Sequence, residues 1–526
     1  MDYDFGDRNN KLRLNILYFI IHRRLRQVIN RPEIPKITLN ILAIIRIARP
    51  LYIQEFFNGI PRFLFYTLFI FYISIMRRYR DLFCFLLSLL FLSCQEENNP
   101  VASDEPYIPD WIFKHWVWED EGTTASARQL ADDYLANGIP VDAIIIDSPW
   151  ETGYNTFDWD PTMYPDAQGM IDYFHSKNIK VLTWITGVVN TDEQPLYDSL
   201  KTKNFFMLNK KNGEAAVIDW WKGEGSLFDY WNPETASWVE QGMNHMLDMG
   251  IDGWKCDGTD YYSLFSPYSA GAGKSIPRLD YSRMYYQFFN DHSKARNGKD
   301  AVVMARPIDN YGVEFLSGDL VSFASPQMIF AGWVGDQDAT FEGLKKALNN
   351  MFHSSEYGYL IFGSDIGGYR EDDTEPLKRS KELFIRWAQL GTFCGLMENG
   401  GGGEHRPWKF DNETLNIYKK LVGLRGQLIP YLVKSAKKAY NNHESLMQFQ
   451  NSSTYGYFLG DDLFIAPILN KNSTVTVKFP AGSQWVYLYD KTQIHDGGTT
   501  ADLTLPLEEF PVYIRQGSAL VNNLNP

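Results

Sequence analysis

A chain of 526 residues, 44% hydrophobic and 22% charged, is long enough to bury more than one packed core. Its 64 acidic against 50 basic side chains give a net charge of -14, which argues against a nucleic-acid partner. The four cysteines, Cys84, Cys94, Cys256 and Cys394, form no CxxC or Cys/His cluster, so neither a zinc site nor a disulfide framework is expected.

The first predicted feature is an export signal. Met76-Arg77-Arg78-Tyr79-Arg80-Asp81 is a basic head, residues 82–92 are apolar, and Leu92-Ser93-Cys94 precedes a polar stretch. This resembles a bacterial lipoprotein signal with Cys94 as the lipidated residue, although Phe91 stands where an aliphatic residue is usual. The expected location is the cell envelope, with a lipid anchor as the one link to a membrane. Residues 1–75 carry a further apolar run, 63–75, too short to span a bilayer comfortably. They are expected to be an extension ahead of a natural start at Met76, or else part of a membrane anchor. Residues 95–109, with Pro100, Pro106 and Pro109, read as a tether.

From residue 110 onward, short apolar runs alternate with helical patterns. Strands are predicted at 111–118, 143–146, 180–185, 253–256, 301–305, 321–324, 359–362 and 392–397. Helices are predicted at 124–137, 167–177, 234–249, 282–295, 341–353, 375–389 (with Pro376 in its first turn) and 415–438. About eight strands alternating with helices over roughly 300 residues predict an α/β fold, a (β/α)8 TIM barrel over 110–425. Residues 426–526 break into β-rich runs separated by Gly, Asp and Asn turns, which predicts a C-terminal β-sandwich.

Catalytic groups of such barrels sit where strands end. The predicted strands end at Glu119, Asp147, Asp257, Arg306, Asp365 and Glu398, and the segment 333–338 adds Asp336 and Asp338. Trp118, Trp150, Trp184, Trp254 and Trp333 lie close by in sequence, and indoles stack on the apolar faces of sugar rings. Two separated carboxylates in such a pocket suit glycoside hydrolysis, one as nucleophile and one as acid and then base. No His stands at ligand spacing with these acids, so no metal and no cofactor is expected.

Ordered blocks across about residues 110–520 resemble glycoside hydrolase family 31, retaining α-glycosidases that include α-glucosidases, α-xylosidases and α-galactosidases. Gly253-Trp254-Lys255-Cys256-Asp257-Gly258-Thr259-Asp260 resembles its nucleophile motif. Ile146-Asp147-Ser148-Pro149-Trp150, Asp158-Trp159-Asp160-Pro161, Met304-Ala305-Arg306, Gly332-Trp333-Val334-Gly335-Asp336, Phe362-Gly363-Ser364-Asp365 and Arg406-Pro407-Trp408 resemble others. The resemblance implies Asp257 as nucleophile and Asp336 as acid/base. It implies Asp147 on a distal hydroxyl of the sugar and Arg306 on another hydroxyl while keeping Asp257 ionised. Trp150, Trp184, Trp254, Lys255, Trp333 and Asp365 are expected around the same subsite. Plainer readings stand beside these: Asp365 shaping its turn, Lys255 pairing with a structural acid, Trp184 in the core, Asp338 and Asp260 on a solvated rim.

Three departures from the family pattern bear on specificity. Only the tether stands where members usually carry an N-terminal β-sandwich. Where many have Arg-Asn-His after the last strand, this chain has Glu398-Asn399-Gly400 and then His405, which either replaces the sugar-binding His or is a loop residue. Residues 326–330 lack the Arg that many α-glucosidases have ahead of the acid/base. The expected activity is a retaining exo-α-glycosidase on an oligosaccharide or glycoside. Transglycosylation, an α-glucan lyase reaction or a non-catalytic glycan-binding lipoprotein are the alternatives, and the sequence is silent on oligomeric state.

Overall fold

The computed structural model describes residues 106–258, 267–309, 321–372, 378–450 and 455–526. The extension 1–75, the signal segment 76–94 with Cys94, most of the tether, and Asp260 lie outside the described residues. Short apolar runs form eight parallel strands: β1 (His115–Glu119), β2 (Ala143–Ile146), β3 (Lys180–Thr186), β4 (Gly253–Asp257), β5 (Val302–Ala305), β6 (Ala331–Trp333), β7 (Phe362–Gly363) and β8 (Met397–Asn399). They pair in the order β7-β6-β5-β4-β3-β2-β1-β8. The Leu396 N–H donates to the Phe362 carbonyl at 3.1 Å, bringing the two ends of the sheet together as a barrel.

Strands buried on both faces read as continuous apolar runs, as in Ala143–Ile146, all four of which are buried. The central strand starts at a glycine for a steric reason. A Cβ on Gly253 would sit 1.9 Å from the Val302 carbonyl oxygen, so any other residue would push β4 off β5. Outer helices begin at capping residues. Asn232 Oδ1 accepts from the Glu234 N–H at 3.0 Å with Pro233 in the first turn of Pro233–Met249, and Asp166, Thr340, Ser380 and Asp411 accept in the same way for four others.

Several elements differ from expectation. The first strand is shorter, because Asp110–Phe113 is a 3-10 turn whose Trp111 stacks on Trp116 at 5.0 Å. The run 321–324 is not a barrel strand: Val321–Ser322 pairs antiparallel with Ile308–Asp309 in a separate ribbon. The sixth barrel position is taken by Ala331–Trp333, a three-residue strand with a glycine at its centre and too short to show a period. The helix expected at 375–389 runs Lys381–Thr392. The boundary expected at 425/426 falls inside one continuous helix, Asn412–Asn441. Between β3 and the helix before β4 the chain adds a helix, Leu196–Thr202, and an antiparallel sheet of Val188–Asn190, Gly223–Leu227 and Val217–Trp220.

After the long helix, Met447–Phe449, Tyr457–Leu459, Leu463–Ile465, Val512–Arg515, Gln484–Tyr487 and Ile494–Asp496 make a six-stranded sheet in that order. A ribbon of Thr474–Lys478 and Thr500–Thr504 packs on it across Phe464, Val477, Phe479, Trp485 and Tyr513. Arg386, on the barrel helix Lys381–Thr392, holds this region. It donates to the carbonyls of Leu505, Pro506 and Glu509 and to Ser473 Oγ, and it is buried. Arg386→Met removes these hydrogen bonds to part-buried acceptors, of which the Glu509 carbonyl keeps the Gln389 amide, and is expected to lower stability by about 1–2 kcal/mol. Denaturant unfolding checks this; an unchanged midpoint would show that the clamp contributes nothing.

Candidate active site

The site is assembled at the C-terminal ends of the barrel strands. Successive side chains of a strand alternate faces, so on β4 Lys255 and Asp257 share one face and Trp254 takes the other. Lys255 and Asp257 point into the barrel. Trp254 points into the helix layer, where its Nε1–H donates to Ser293 Oγ at 3.1 Å and its ring meets Phe289 edge-on at 5.4 Å. The expected pocket role of Trp254 is therefore corrected to one in the core, and the two-residue period could have shown this from sequence.

Arg306, just past β5, organises the acids. Its Nη2 lies 3.2 Å from Asp257 Oδ1 and 3.2 Å from Asp336 Oδ1, its Nε lies 3.3 Å from Asp257 Oδ1, and its Nη1 donates to Asp309. The guanidinium stacks over Trp333 at 4.5 Å. Asp257 also accepts from the Gly258 N–H at 2.8 Å and from Trp184 Nε1 at 3.3 Å. Burial opposes ionisation of Asp257, but Arg306, then Lys255 and these two donors, outweigh it and hold the carboxyl below its ordinary range. Gly258 has φ +80, and a Cβ there would lie 2.4 Å from Thr186 Oγ1, so the turn that supplies this N–H requires glycine.

A second group lies deeper. Lys255 Nζ donates to Asp147 Oδ2 at 2.6 Å and sits 3.6 Å over the Trp118 ring. Burial works against the Lys255 charge, but Asp147 and Asp365 hold the ammonium above its usual range. Burial pushes Asp147 up to about 6, with Lys255 pulling the other way. Asp365 and Glu398 are both fully buried and hydrogen-bond each other, and Trp118 Nε1 donates to Glu398 Oε2 at 2.7 Å. Asp365 Oδ1 and Glu398 Oε1 have no protein donor. Burial and then each other raise the Asp365 carboxyl well above the ordinary range, and burial raises that of Glu398. Two carboxyl groups facing each other in a low-dielectric site share one proton between them.

Other expected residues lie at varied depth. Trp150 donates its Nε1–H to the Trp184 carbonyl and packs on Trp159, so it braces the β3 end from behind. Trp333 underlies Arg306, with Lys255 Nζ 5.7 Å from its ring. His405 is buried with Nδ1 3.1 Å from the Ile366 carbonyl and Nε2 3.1 Å from the Gly402 carbonyl. The ring thus sits between the segment after β7 and the 400–405 loop, and burial followed by Arg379 keeps the imidazole well below its usual pKa. Asp338 pairs with Arg370 at 2.7 Å on the rim. Asp309, Tyr369 and Asp120 were not singled out from sequence: Asp309 completes the Arg306 cluster, and Tyr369 stacks on Trp118 and donates to Asp120 at 3.0 Å. Among the described residues, no group of three or more His, Cys, Asp or Glu side chains is placed to hold a metal ion.

Exposure rises outward along this set. The Arg306 side chain is 2% exposed, Asp257 12% and Asp336 21%. The cluster can thus present an ionised carboxylate and a second, more accessible carboxyl group, both tied to one cation, to a single bound molecule.

Residues 105–435 match the family model of the glycosyl hydrolases family 31 TIM-barrel domain, and residues 441–520 match that of the glycosyl hydrolase family 31 C-terminal domain. An α-xylosidase of Emericella nidulans is 24% identical over 435 residues, covering 78% of this chain and 53% of that protein. Alpha-glucosidase 2 of Bacillus thermoamyloliquefaciens is 24% identical over 439 residues, covering 81% of this chain and 55% of that protein. The chain spans about half the length of these curated relatives. A family 31 α-xylosidase from a soil metagenome, solved with xylose, has the same fold, with a TM-score of 0.68 at 22% identity over 80% of this chain and 65% of that one. With both family domains matched in order along the barrel and the sandwich, the chain belongs to glycosyl hydrolase family 31.

Proposed function

We propose that the protein is a retaining exo-α-glycosidase that removes a terminal α-linked sugar by double displacement. The observation that carries this reading is the shared guanidinium. Asp257 Oδ1 and Asp336 Oδ1 each lie 3.2 Å from Arg306 Nη2, so these oxygens are separated by at most twice that distance. Inverting enzymes space their carboxyl groups at about 6.5–9.5 Å to admit a water, whereas retaining enzymes bring them to about 5–5.5 Å. The bound on this oxygen pair is compatible with the shorter, retaining spacing.

In the first step Asp257 attacks the anomeric carbon, the bond to the leaving oxygen breaks, and Asp336 gives that oxygen its proton. In the second, Asp336 takes a proton from water, whose oxygen displaces Asp257 and releases the sugar. Arg306 favours the ionised form of Asp257 before attack and after release. Asp147 and Lys255 hold distal hydroxyls at the closed end, with Asp365 beside them. The names of the relatives, α-xylosidase and α-glucosidase, support an α-linked pyranose as the substrate class.

Hydrolysis of a panel of 4-nitrophenyl α-glycosides (glucose, galactose, xylose, N-acetylgalactosamine) by protein beginning at residue 95 tests the reading. Release of nitrophenol from one α-anomer, with β-anomers intact, supports it. An intact panel together with measurable sugar binding would replace it with a glycan-binding role. Product analysis separates hydrolysis from transfer to a sugar acceptor or elimination, which share the covalent step.

Asp147 supplies a pH signature. As pH falls through about 6, Asp147 takes up a proton and its ion pair with Lys255 is lost. KM is expected to rise several-fold between pH 7 and pH 5, and Asp147→Asn to show a high KM that no longer varies over that range. A wild-type KM constant across the range would remove Asp147 from sugar binding. The pattern ending at Cys94 supports export and lipid anchoring, and incorporation of a labelled fatty acid into the native protein tests this.

A further inference from the structure

We infer that Asp309 is a positioning residue for the two reacting carboxyl groups: its carboxylate holds the Arg306 guanidinium and the turn that presents Asp336 in one alignment. The inference rests on the glycosidase reading above and adds to it a residue that acts through Arg306 and Asp336 rather than on the sugar. Asp309 ends the short strand Ile308–Asp309, which pairs with Val321–Ser322 outside the barrel, and its side chain is 2% exposed. It accepts from Arg306 Nη1, while Nη2 of the same guanidinium reaches Asp257 and Asp336. A guanidinium is planar and rigid, so a partner held at Nη1 sets where Nη2 points.

The same carboxylate lies against the turn that carries Asp336. A Cβ on Gly335 would sit 2.1 Å from Asp309 Oδ2, so the carboxylate packs directly on the backbone leading into Asp336. Asn350, buried on the outer helix Phe341–Glu356, ties the two together. Its Nδ2 lies 3.4 Å from Asp309 Oδ1 and 3.1 Å from the Val334 carbonyl. Gln337, the residue after Asp336, donates its Nε2–H to that carbonyl at 2.7 Å. The ribbon is seated on the same helix, since the Ile308 N–H donates to Ser354 Oγ at 3.2 Å.

A third carboxylate is not needed to balance the charge of Arg306, because Asp257 and Asp336 already flank it. In the double displacement, however, both of those partners change. Asp257 loses its charge on joining the anomeric carbon, and Asp336 gives up a proton and later regains one. Asp309 takes part in neither step, so its bond to Arg306 Nη1 persists through the cycle. A cation held at one nitrogen keeps its geometry at the other while the reacting partners alternate. Loss of such alignment is costly, since a displacement of about 1 Å lowers a rate about 10²-fold.

The experiment compares Asp309→Ala and Asp309→Asn with the wild type, on an α-linked disaccharide and on the 4-nitrophenyl α-glycoside of the accepted sugar. Arg306 keeps Asp257 and Asp336 as partners in both variants, so both are expected to fold, and circular dichroism checks this. In Asp309→Ala, kcat/KM for the disaccharide is expected to fall about 10²-fold, through kcat, with KM within about threefold of wild type. The loss on the nitrophenyl glycoside is expected to be smaller by about fivefold or more, because a displaced Asp336 matters most for a basic leaving oxygen. Asp309→Asn, whose amide oxygen still accepts from Arg306 Nη1, is expected to recover the disaccharide rate to within about tenfold of wild type. Equal losses on the two substrates in Asp309→Ala, or wild-type kinetics there, would mark Asp309 as a brace of the ribbon and overturn the inference. If Asp309→Ala does not fold, Asp309→Asn decides by the same criterion. A wild type that turns over neither substrate would instead overturn the glycosidase reading, and this inference with it.

Discussion

Asp257→Ala is expected to lower kcat by about 10⁴-fold or more, because it removes the carboxylate proposed to form the covalent bond. Asp257 is the one acid of the cluster that Arg306, the Gly258 N–H and the Trp184 indole all hold in the ionised form. In the variant, Arg306 keeps Asp309 and Asp336 as partners, so the cation is not left alone and the chain is expected to fold. Circular dichroism checks folding beside the rate. Azide filling the vacated space attacks an activated donor from the same side, so the product is expected to be the β-glycosyl azide. Wild-type turnover in Asp257→Ala would reject the assignment.

Asp336→Ala is expected to produce a different defect. A general acid contributes about 10²–10⁴-fold, and that contribution matters most when the leaving oxygen is strongly basic. The variant should therefore lose about 10³-fold or more on a disaccharide and far less on a 4-nitrophenyl glycoside in the bond-breaking step. With the activated substrate the second step becomes slow, and azide, which needs no base to attack, is expected to restore turnover. Here azide arrives on the face the leaving group has vacated, so the product is the α-glycosyl azide. The anomer of the azide product thus distinguishes the two carboxylates. Equal losses on good and poor leaving groups without azide rescue would remove Asp336 from the acid/base position.

The barrel was legible because parallel strands covered on both faces are short, mostly apolar runs that end abruptly in charge, as in Ile144-Ile145-Ile146-Asp147. β6 was not legible in this way. Ala331-Gly332-Trp333 offers neither length nor alternation, and it is a strand because of what flanks it: Gly332 pairs with Ala305 on one side and Phe362 on the other. The apolar run at 321–324 looked the better strand and went to a ribbon outside the barrel. The inserted sheet carrying Trp221 was missed because Val217–Trp220 and Gly223–Leu227 mix exposed charges and glycines with apolar residues.

The structure brings Asp147, Lys255, Asp257, Arg306, Asp336 and Asp365 together at one end of the barrel; Arg306 beside Asp257 was expected, whereas Asp147 as the partner of Lys255 and the reach of Arg306 to Asp336 were not legible. That one nitrogen of Arg306 reaches both Asp257 and Asp336 depends on how β4, β5 and β6 are registered side by side. The Asp365–Glu398 pair likewise comes from β7 and β8, which are distant in sequence and join only when the barrel closes. His405 was left open between a sugar contact and a loop residue, and in the structure it is buried with its ring nitrogens beside the Ile366 and Gly402 carbonyls.

The central claim is that Asp257 becomes covalently attached to the anomeric carbon. Incubation with the 5-fluoro-α-glycosyl fluoride of the accepted sugar slows release of the intermediate, and proteolysis with mass spectrometry then locates the label. The account predicts one added glycosyl group, on the peptide containing Asp257, that is lost when an acceptor sugar is added. A label on Asp336 or Asp365, or an unlabelled protein that releases its sugar with inverted configuration, would contradict it.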